Sequence, residues 1–510
     1  MSKLTRVSLL LAFFFGLDKV VAFARLMIVA RQFNLSQEYD AFNVANNVPD
    51  LLFMLISGGA LAMAFIPVLT ETLTREGRDQ AWKLFSQVAN LAFLITAGLA
   101  LVVGLLAEPL VRSQFGVAPG FGPEQQRLVI DLMRLNLAAT IIFSISGLVM
   151  AGLQANQHFL LPAMAPLLYN VGQIFGAVIL APEAGYRFGP VELPAFGLGI
   201  HGLVYGVIVG ALLHLGIQIP GLVRYRFHWS PVVRFGDAHL QRVLRLMGPR
   251  VITMLFIQMI FLVRDNLASR LDTGAVTSLT LGWTIMQVPE TLIGTAIGIA
   301  ILPTLSEMIA KEDREAYQAT LQRATQVILA VTVPIAVLLM VGLRPLLAVA
   351  FDFGPEGTDL LMNVTRGFLV GLTGQCLLEV AVRSFYARQD AITPLITAGI
   401  NFVVFVVLGV TLFQSMGAAG ISLADSLAFT SQAVLLLALL NRRLATRLAP
   451  AIALPRALLA AFIGGGIVLL VTALPTAARQ PLIFGLLALA AGGLAALFPI
   501  WKEIRLLLRL

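Results

Sequence analysis

The chain has 510 residues, 58% of them hydrophobic and only 12% charged, against roughly 25% charged in soluble domains. No long polar block interrupts this bias, which excludes a sizeable soluble domain and reads as a polytopic membrane protein. A net charge of +8 would suit a nucleic-acid binder, but Lys and Arg also collect in the cytoplasmic loops of membrane proteins, so nucleic acid is not an expected partner. One cysteine, Cys376, excludes an internal disulfide and a Cys metal cluster.

The first stretch, Leu11–Arg31, is long, apolar and helix-compatible, yet it carries Asp18, Lys19 and Arg25. Each such charge costs about 2.5–3.5 kcal/mol near the centre of a membrane helix. Asp18 and Arg25 lie two helical turns apart and share nearly one face, so they are expected to line a polar cavity. The opening MSKLTR leads into this stretch without a small-x-small cleavage site, which predicts an uncleaved first span.

At about 20 apolar residues per span, fourteen spans are expected near 8–31, 41–70, 84–111, 127–153, 159–181, 196–222, 243–270, 276–309, 324–351, 360–386, 391–414, 418–440, 455–474 and 480–500. The second, eighth and ninth hold Pro49, Pro67, Pro289, Pro303 or Pro334 and should tilt or kink. With a cytoplasmic N-terminus, the inside loops gather most of the Lys and Arg, including Arg224, Arg226, Arg234, Arg242 and Arg245 and later Arg442, Arg443 and Arg447. That asymmetry places both termini in the cytoplasm.

The chain also repeats itself. AFIPVLTE (Ala64–Glu71) recurs as AILPTLSE (Ala300–Glu307), and VPDLL (Val48–Leu52) as VPETL (Val288–Leu292). Six spans separate the copies, which makes them parallel repeats. The expected division is an N-lobe over 1–222, a cytoplasmic linker over 223–242, a C-lobe over 243–444, and two extra helices with a cytoplasmic tail over 445–510. A central cavity between two six-helix lobes is the expected binding site.

FARLMIVARQF (Phe23–Phe33) with Asp40-Ala41-Phe42, GLQANQHFLLPAMAPLLYN (Gly152–Asn170), GPRV (Gly248–Val251), VRDNLAS (Val263–Ser269), ILPTLSE (Ile301–Glu307) and FYARQDAITP (Phe385–Pro394) stand along nearly the whole chain. With these motifs the sequence resembles the MurJ/MviN family of lipid II flippases, within the MATE-like multidrug/oligosaccharidyl-lipid/polysaccharide exporter superfamily. The resemblance implies a bacterial cytoplasmic-membrane transporter. It would move an undecaprenyl-pyrophosphate-linked sugar-peptide from the inner to the outer leaflet by alternating access, for cell-wall synthesis. It implies no enzyme activity and no cofactor. Membrane lipids, and cell-wall synthesis proteins, would be its other partners. The other readings are an exporter of another lipid-linked oligosaccharide and a MATE-like drug or ion antiporter.

The resemblance further implies that Arg25 and Lys19 contact the pyrophosphate, with Asp40 as a matching acid; Asp18, expected to keep the basic pair ionised and oriented, and Arg264, expected to compensate for missing basic residues, complete the substrate site. Arg suits the role because its planar fork donates two parallel bonds to phosphate oxygens. The chain departs from the family at Phe53 and Gly58, where relatives carry an arginine and an acid, and at Trp283-Thr284, where many carry an Asp-Arg pair. Arg264-Asp265 reads equally as a helix-end ion pair at the outer interface. Ser57, Gly58 and Gly59 are expected bending points; Glu76, Arg78, Glu312 and Arg314 in the repeated loops read as gate contacts or as solvated caps. Glu379 reads as a coupling site or as buried against Arg383. The five scattered histidines form no i,i+4 metal pair, and no nucleotide-binding loop or catalytic triad is present.

Overall fold

The computed structural model describes residues 3–56, 59–444, 448–475 and 479–507. It is helical almost throughout; the described strands are one two-residue ribbon, Arg187–Phe188 paired antiparallel with Val191–Glu192. Among the described residues nine helices are long and apolar enough to cross a membrane, and Pro481–Leu497 is a shorter apolar helix. The longest of the nine, Ile392–Asn441, holds two of the expected spans, divided at Gly417, whose φ of 58° is open to glycine. Together with the helices Lys3–Phe33, Gln37–Ile56, Gly59–Arg75 and Ala238–Ala268, these are consistent with the fourteen spans.

The chain forms two compact units, Met1–Arg270 and Leu271–Leu510. The first contains α1 (Lys3–Phe33), α2 (Gln37–Ile56), α3 (Gly59–Arg75), α4 (Arg78–Leu105), α5 (Ala107–Arg112), α6 (Pro123–Ala155), α7 (Leu160–Phe175), α8 (Gly199–Gly216), α9 (Ile219–Arg224) and α10 (Ala238–Ala268). The second span is described on either side of residues 57 and 58, as α2 with Pro49 inside it and α3 with Pro67 inside it. One π-helical turn, Gly176–Leu180, prolongs α7. Here α7 and α8 approach through glycines: a methyl at Gly176 would stand 2.6 Å from the Cα of Gly206, and one at Gly172 would run into the backbone of Gly210.

The boundary between the units falls one helix later than the repeat suggests. α10 packs on α2 and α3, and side chains explain why. Asn47 on α2 donates to Asp265, Arg242 pairs with Glu71 at 2.8 Å, and Asn266 donates to the carbonyls of Gln114 and Gly116. The segment before α10 is strapped to α4 as well. Trp82 donates to the carbonyl of Tyr225 at 3.1 Å and Asn90 to that of Ser230 at 2.6 Å. Trp229 donates to Asn90 at 2.8 Å, and Phe227 meets Trp82 and Phe85 edge-on. Asp237 caps α10 by accepting from the amides of His239 and Leu240. Burial would raise the pKa of Asp237, but its bonds from Gln87, Leu240 and His239 outweigh this and hold it below the usual carboxylate range.

The second unit contains α11 (Ala275–Glu290), a π-helical turn (Thr291–Thr295), α12 (Ala296–Ala310), α13 (Arg314–Gly342), α14 (Arg344–Phe351), α15 (Gly354–Val370), α16 (Leu372–Ala387), α17 (Ile392–Asn441), α18 (Leu454–Thr472), α19 (Pro481–Leu497) and α20 (Trp501–Leu507). The expected kink of the eighth span is thus a π turn following Pro289, a departure common at functional positions. α18 and α19 pack on each other and on α13.

Candidate functional site

In the first unit the charges of α1 meet α7. Asp18 accepts a hydrogen bond from Asn170 at 2.9 Å. Two turns further on, the guanidinium of Arg25 donates to the side-chain oxygen of Gln173. Both amide residues are buried, at 6% and 5% exposure, whereas Arg25 and Asp18 are half-buried. Asp18 and Arg25, seven residues apart on α1, share one face of that helix, as do Asn170 and Gln173, three apart on α7.

Arg25 forms no ion pair among the described residues, and its buried Nε–H has no acceptor. A buried donor left without a partner costs about 1–3 kcal/mol, so this guanidinium is unsatisfied in charge and in hydrogen bonding. Asp18 is expected to hold Lys19 and Arg25, but the structure gives its carboxylate to Asn170 instead. Lys19 is exposed and makes no hydrogen bond or ion pair among the described residues.

Asp40 and Arg264 belong to a second cluster. Asp40, Arg264 and Asp265 are 1%, 4% and 1% exposed, and Asp265 takes the hydrogen bond from Asn47. Arg264 lies over the ring of Phe261, 4.6 Å from its centroid. Arg264 and Asp265 stand near the C-terminal end of α10, as the sequence has them, and are buried where that helix packs on α2. Two of the departures read from the sequence, Phe53 and Trp283, are packed aromatic rings. Phe53 packs against Phe143, and Trp283 in the second unit against Phe368 and Phe429.

Ser57 and Gly58 lie outside the described residues; Gly59 opens α3. In the first unit Glu76 pairs with His239 at 2.9 Å and Arg78 lies over Tyr225, so both hold the strap beside α4. In the second unit the repeated loop is differently engaged. Glu312 has a left-handed φ of 57°, Glu312 and Arg314 are exposed, and the next helix is capped by Asp313, which accepts from Ala316 at 2.9 Å.

The second unit has a polar cluster of its own. Glu379 and Arg383 form an ion pair one turn apart on α16, part-exposed rather than buried. Glu290 is 6% exposed and accepts from Thr295 at 3.1 Å, so it is a buried acceptor at the π turn. Gln173 and Asn170 were not legible as site residues in the sequence. Neutral amides carry no insertion penalty large enough to flag them, and only the fold brings them to α1.

A family model described as lipid II flippase MurJ matches residues 29–486. The lipid II flippase MurJ of Burkholderia cenocepacia is 31% identical over 435 residues, which cover 81% of this chain and 81% of that protein. A probable lipid II flippase MurJ of Rhizobium meliloti is 27% identical, covering 83% of this chain and 78% of its own length. Among solved structures, a lipid II flippase MurJ in an inward closed conformation superposes with a TM-score of 0.78 at 19% identity, over 97% of this chain and 100% of that one. An inward-facing multidrug resistance MATE family transporter of the MOP superfamily gives 0.69 at 15% identity, over 84% and 94%. The structural likenesses establish the fold.

Proposed function

We infer the activity of this chain from the family to which it belongs, the MurJ family of lipid II flippases: it is a multi-pass transporter of the bacterial inner membrane that flips lipid II for peptidoglycan synthesis. Both termini lie in the cytoplasm on this reading, as the loop charges favour. The two repeats alternate access to the leaflets, and the pyrophosphate is held during transfer.

One observation carries the reading to a residue. Arg25 is half-buried, bonded to a neutral amide rather than a carboxylate, and keeps a buried N–H without an acceptor. A positive charge kept uncompensated in a low-dielectric setting favours an anion strongly, and a guanidinium fork matches phosphate oxygens. Lys19 supplies a second, exposed positive charge six residues earlier. Asp18, held by Asn170, is kept from neutralising Arg25. Asp40 and Arg264 support the site as a packed cluster between α2 and α10.

The test is leaflet exposure of lipid II in cells depleted of their own flippase and supplied with this protein. Rescue is expected, and the Arg25→Ala variant should lose it. Absence of rescue by the wild type would sink the assignment; rescue equally well by Arg25→Ala would sink the site while leaving the function standing.

A further inference from the structure

We propose that Gln173 is a positioning residue of the substrate site, one that fixes the guanidinium of Arg25 while leaving its charge free for an anionic ligand. The inference rests on the lipid II reading above and adds to it the α7 residue on which anion recognition depends.

The choice of partner carries the argument. A membrane-embedded arginine usually meets a carboxylate, and the chain does this at Arg383, whose guanidinium is paired with Glu379. Arg25 instead meets the carbonyl oxygen of an amide. Such a bond orients the guanidinium but cancels none of its charge. Gln173 is 5% exposed, so its side chain is itself fixed by packing. The acid on the same helix, Asp18, two turns before Arg25, is engaged by the second amide, Asn170, which donates to it at 2.9 Å. Each amide therefore supplies what its partner requires: Gln173 presents an acceptor to a cation, and Asn170 presents a donor to an anion. The remaining Arg25 Nε–H, buried without an acceptor, is a donor that an incoming phosphate oxygen can satisfy once the side chain adjusts.

Replacing the amide by a carboxylate separates position from charge, because Gln173→Glu keeps the acceptor and neutralises Arg25. Gln173→Met removes the acceptor at similar volume and keeps the charge. Lipid II binding and melting temperature are measured for the full-length protein in lipid nanodiscs, with inorganic pyrophosphate as a second probe. Gln173→Glu should weaken lipid II binding about tenfold or more with an unchanged or higher melting temperature. Gln173→Met should weaken binding less while melting lower, so the two variants rank oppositely in the two measurements. In an Arg25→Ala background, Gln173→Glu should alter binding by less than about twofold. A residue that only stabilises the fold would give the same rank in both measurements, and that result overturns the proposal. Binding by Gln173→Glu at the wild-type level overturns it too. If the wild type binds pyrophosphate but not lipid II, the substrate reading falls and the same variants against pyrophosphate decide the role of Gln173; binding of neither by the wild type overturns both.

Discussion

Two arginines inside apolar helices, Arg25 in the first unit and Arg383 in the second, have opposite surroundings. Arg383 is bonded to Glu379 on its own helix, and its stem packs over Gly298. Arg25 has no acid of its own; its partner is an amide from a helix nearly 150 residues away in sequence. The local i,i+4 pair satisfies its arginine as soon as the helix forms. The long-range amide contact leaves its arginine charged and waiting. The same residue type is a structural element in one unit and a recognition element in the other, and the charge of the partner decides which.

The sharpest way to break this contrast is to remove each arginine. Arg25→Ala should reduce lipid II transport by about tenfold to a hundredfold, the worth of charge-assisted bonds to phosphate, with little change in melting temperature. Arg25→Lys, which keeps charge and loses the fork, should fall between it and the wild type in the same assay. Arg383→Met should do the reverse. It leaves Glu379 unpaired, and because the pair is part-exposed the expected loss is about 2 kcal/mol of stability, read by chemical or thermal unfolding, with lipid II affinity per folded molecule retained.

Two loops refine the contrast on a smaller scale. Asp237→Ala removes the cap of α10 and the bond from Gln87, and should cost about 1 kcal/mol and raise the proteolytic sensitivity of the 225–237 strap. At the other end of the scale is Asp390. It accepts from the backbone and hydroxyl of Thr393 and pairs with Arg443 at 2.8 Å. Slight burial would raise its pKa, but the bonds from Thr393 and Arg443 prevail and lower it. Its stabilisation is therefore complete above the ordinary aspartate range and lost as the pH falls through the lowered value, below about pH 4. A melting-temperature profile should show Asp390→Asn below the wild type at neutral pH and converging on it in acid.

The fold was legible to the extent that hydropathy and repetition set it. Apolar runs of membrane length and the AFIPVLTE/AILPTLSE repeat anticipated the helices, and Pro289 in the eighth span precedes the π turn found there. The unit boundary was not, because it depends on side-chain contacts such as Asn47 with Asp265 and Trp229 with Asn90 that no periodicity encodes. At the site, insertion cost singled out Asp18, Lys19 and Arg25 but was silent on what each one touches. It could not separate the exposed Lys19 from the held Arg25, nor foresee that Asp18 would be taken by Asn170. The burial of Arg264 likewise needed the fold, since a charge near a helix end is as easily solvated as packed.

The glycine contact between α7 and α8 has a mechanical consequence. With Gly172 and Gly176 seated against the backbone of Gly210 and Gly206, α7 cannot spin about its own axis without driving the side chains that flank these glycines into its neighbour's backbone. The azimuth at which Asn170 and Gln173 face α1 is thus set from behind, by residues with no side chain to contribute. A single methyl added at Gly172 would act as a shim, turning the amides off their targets while leaving every polar group of the site in place.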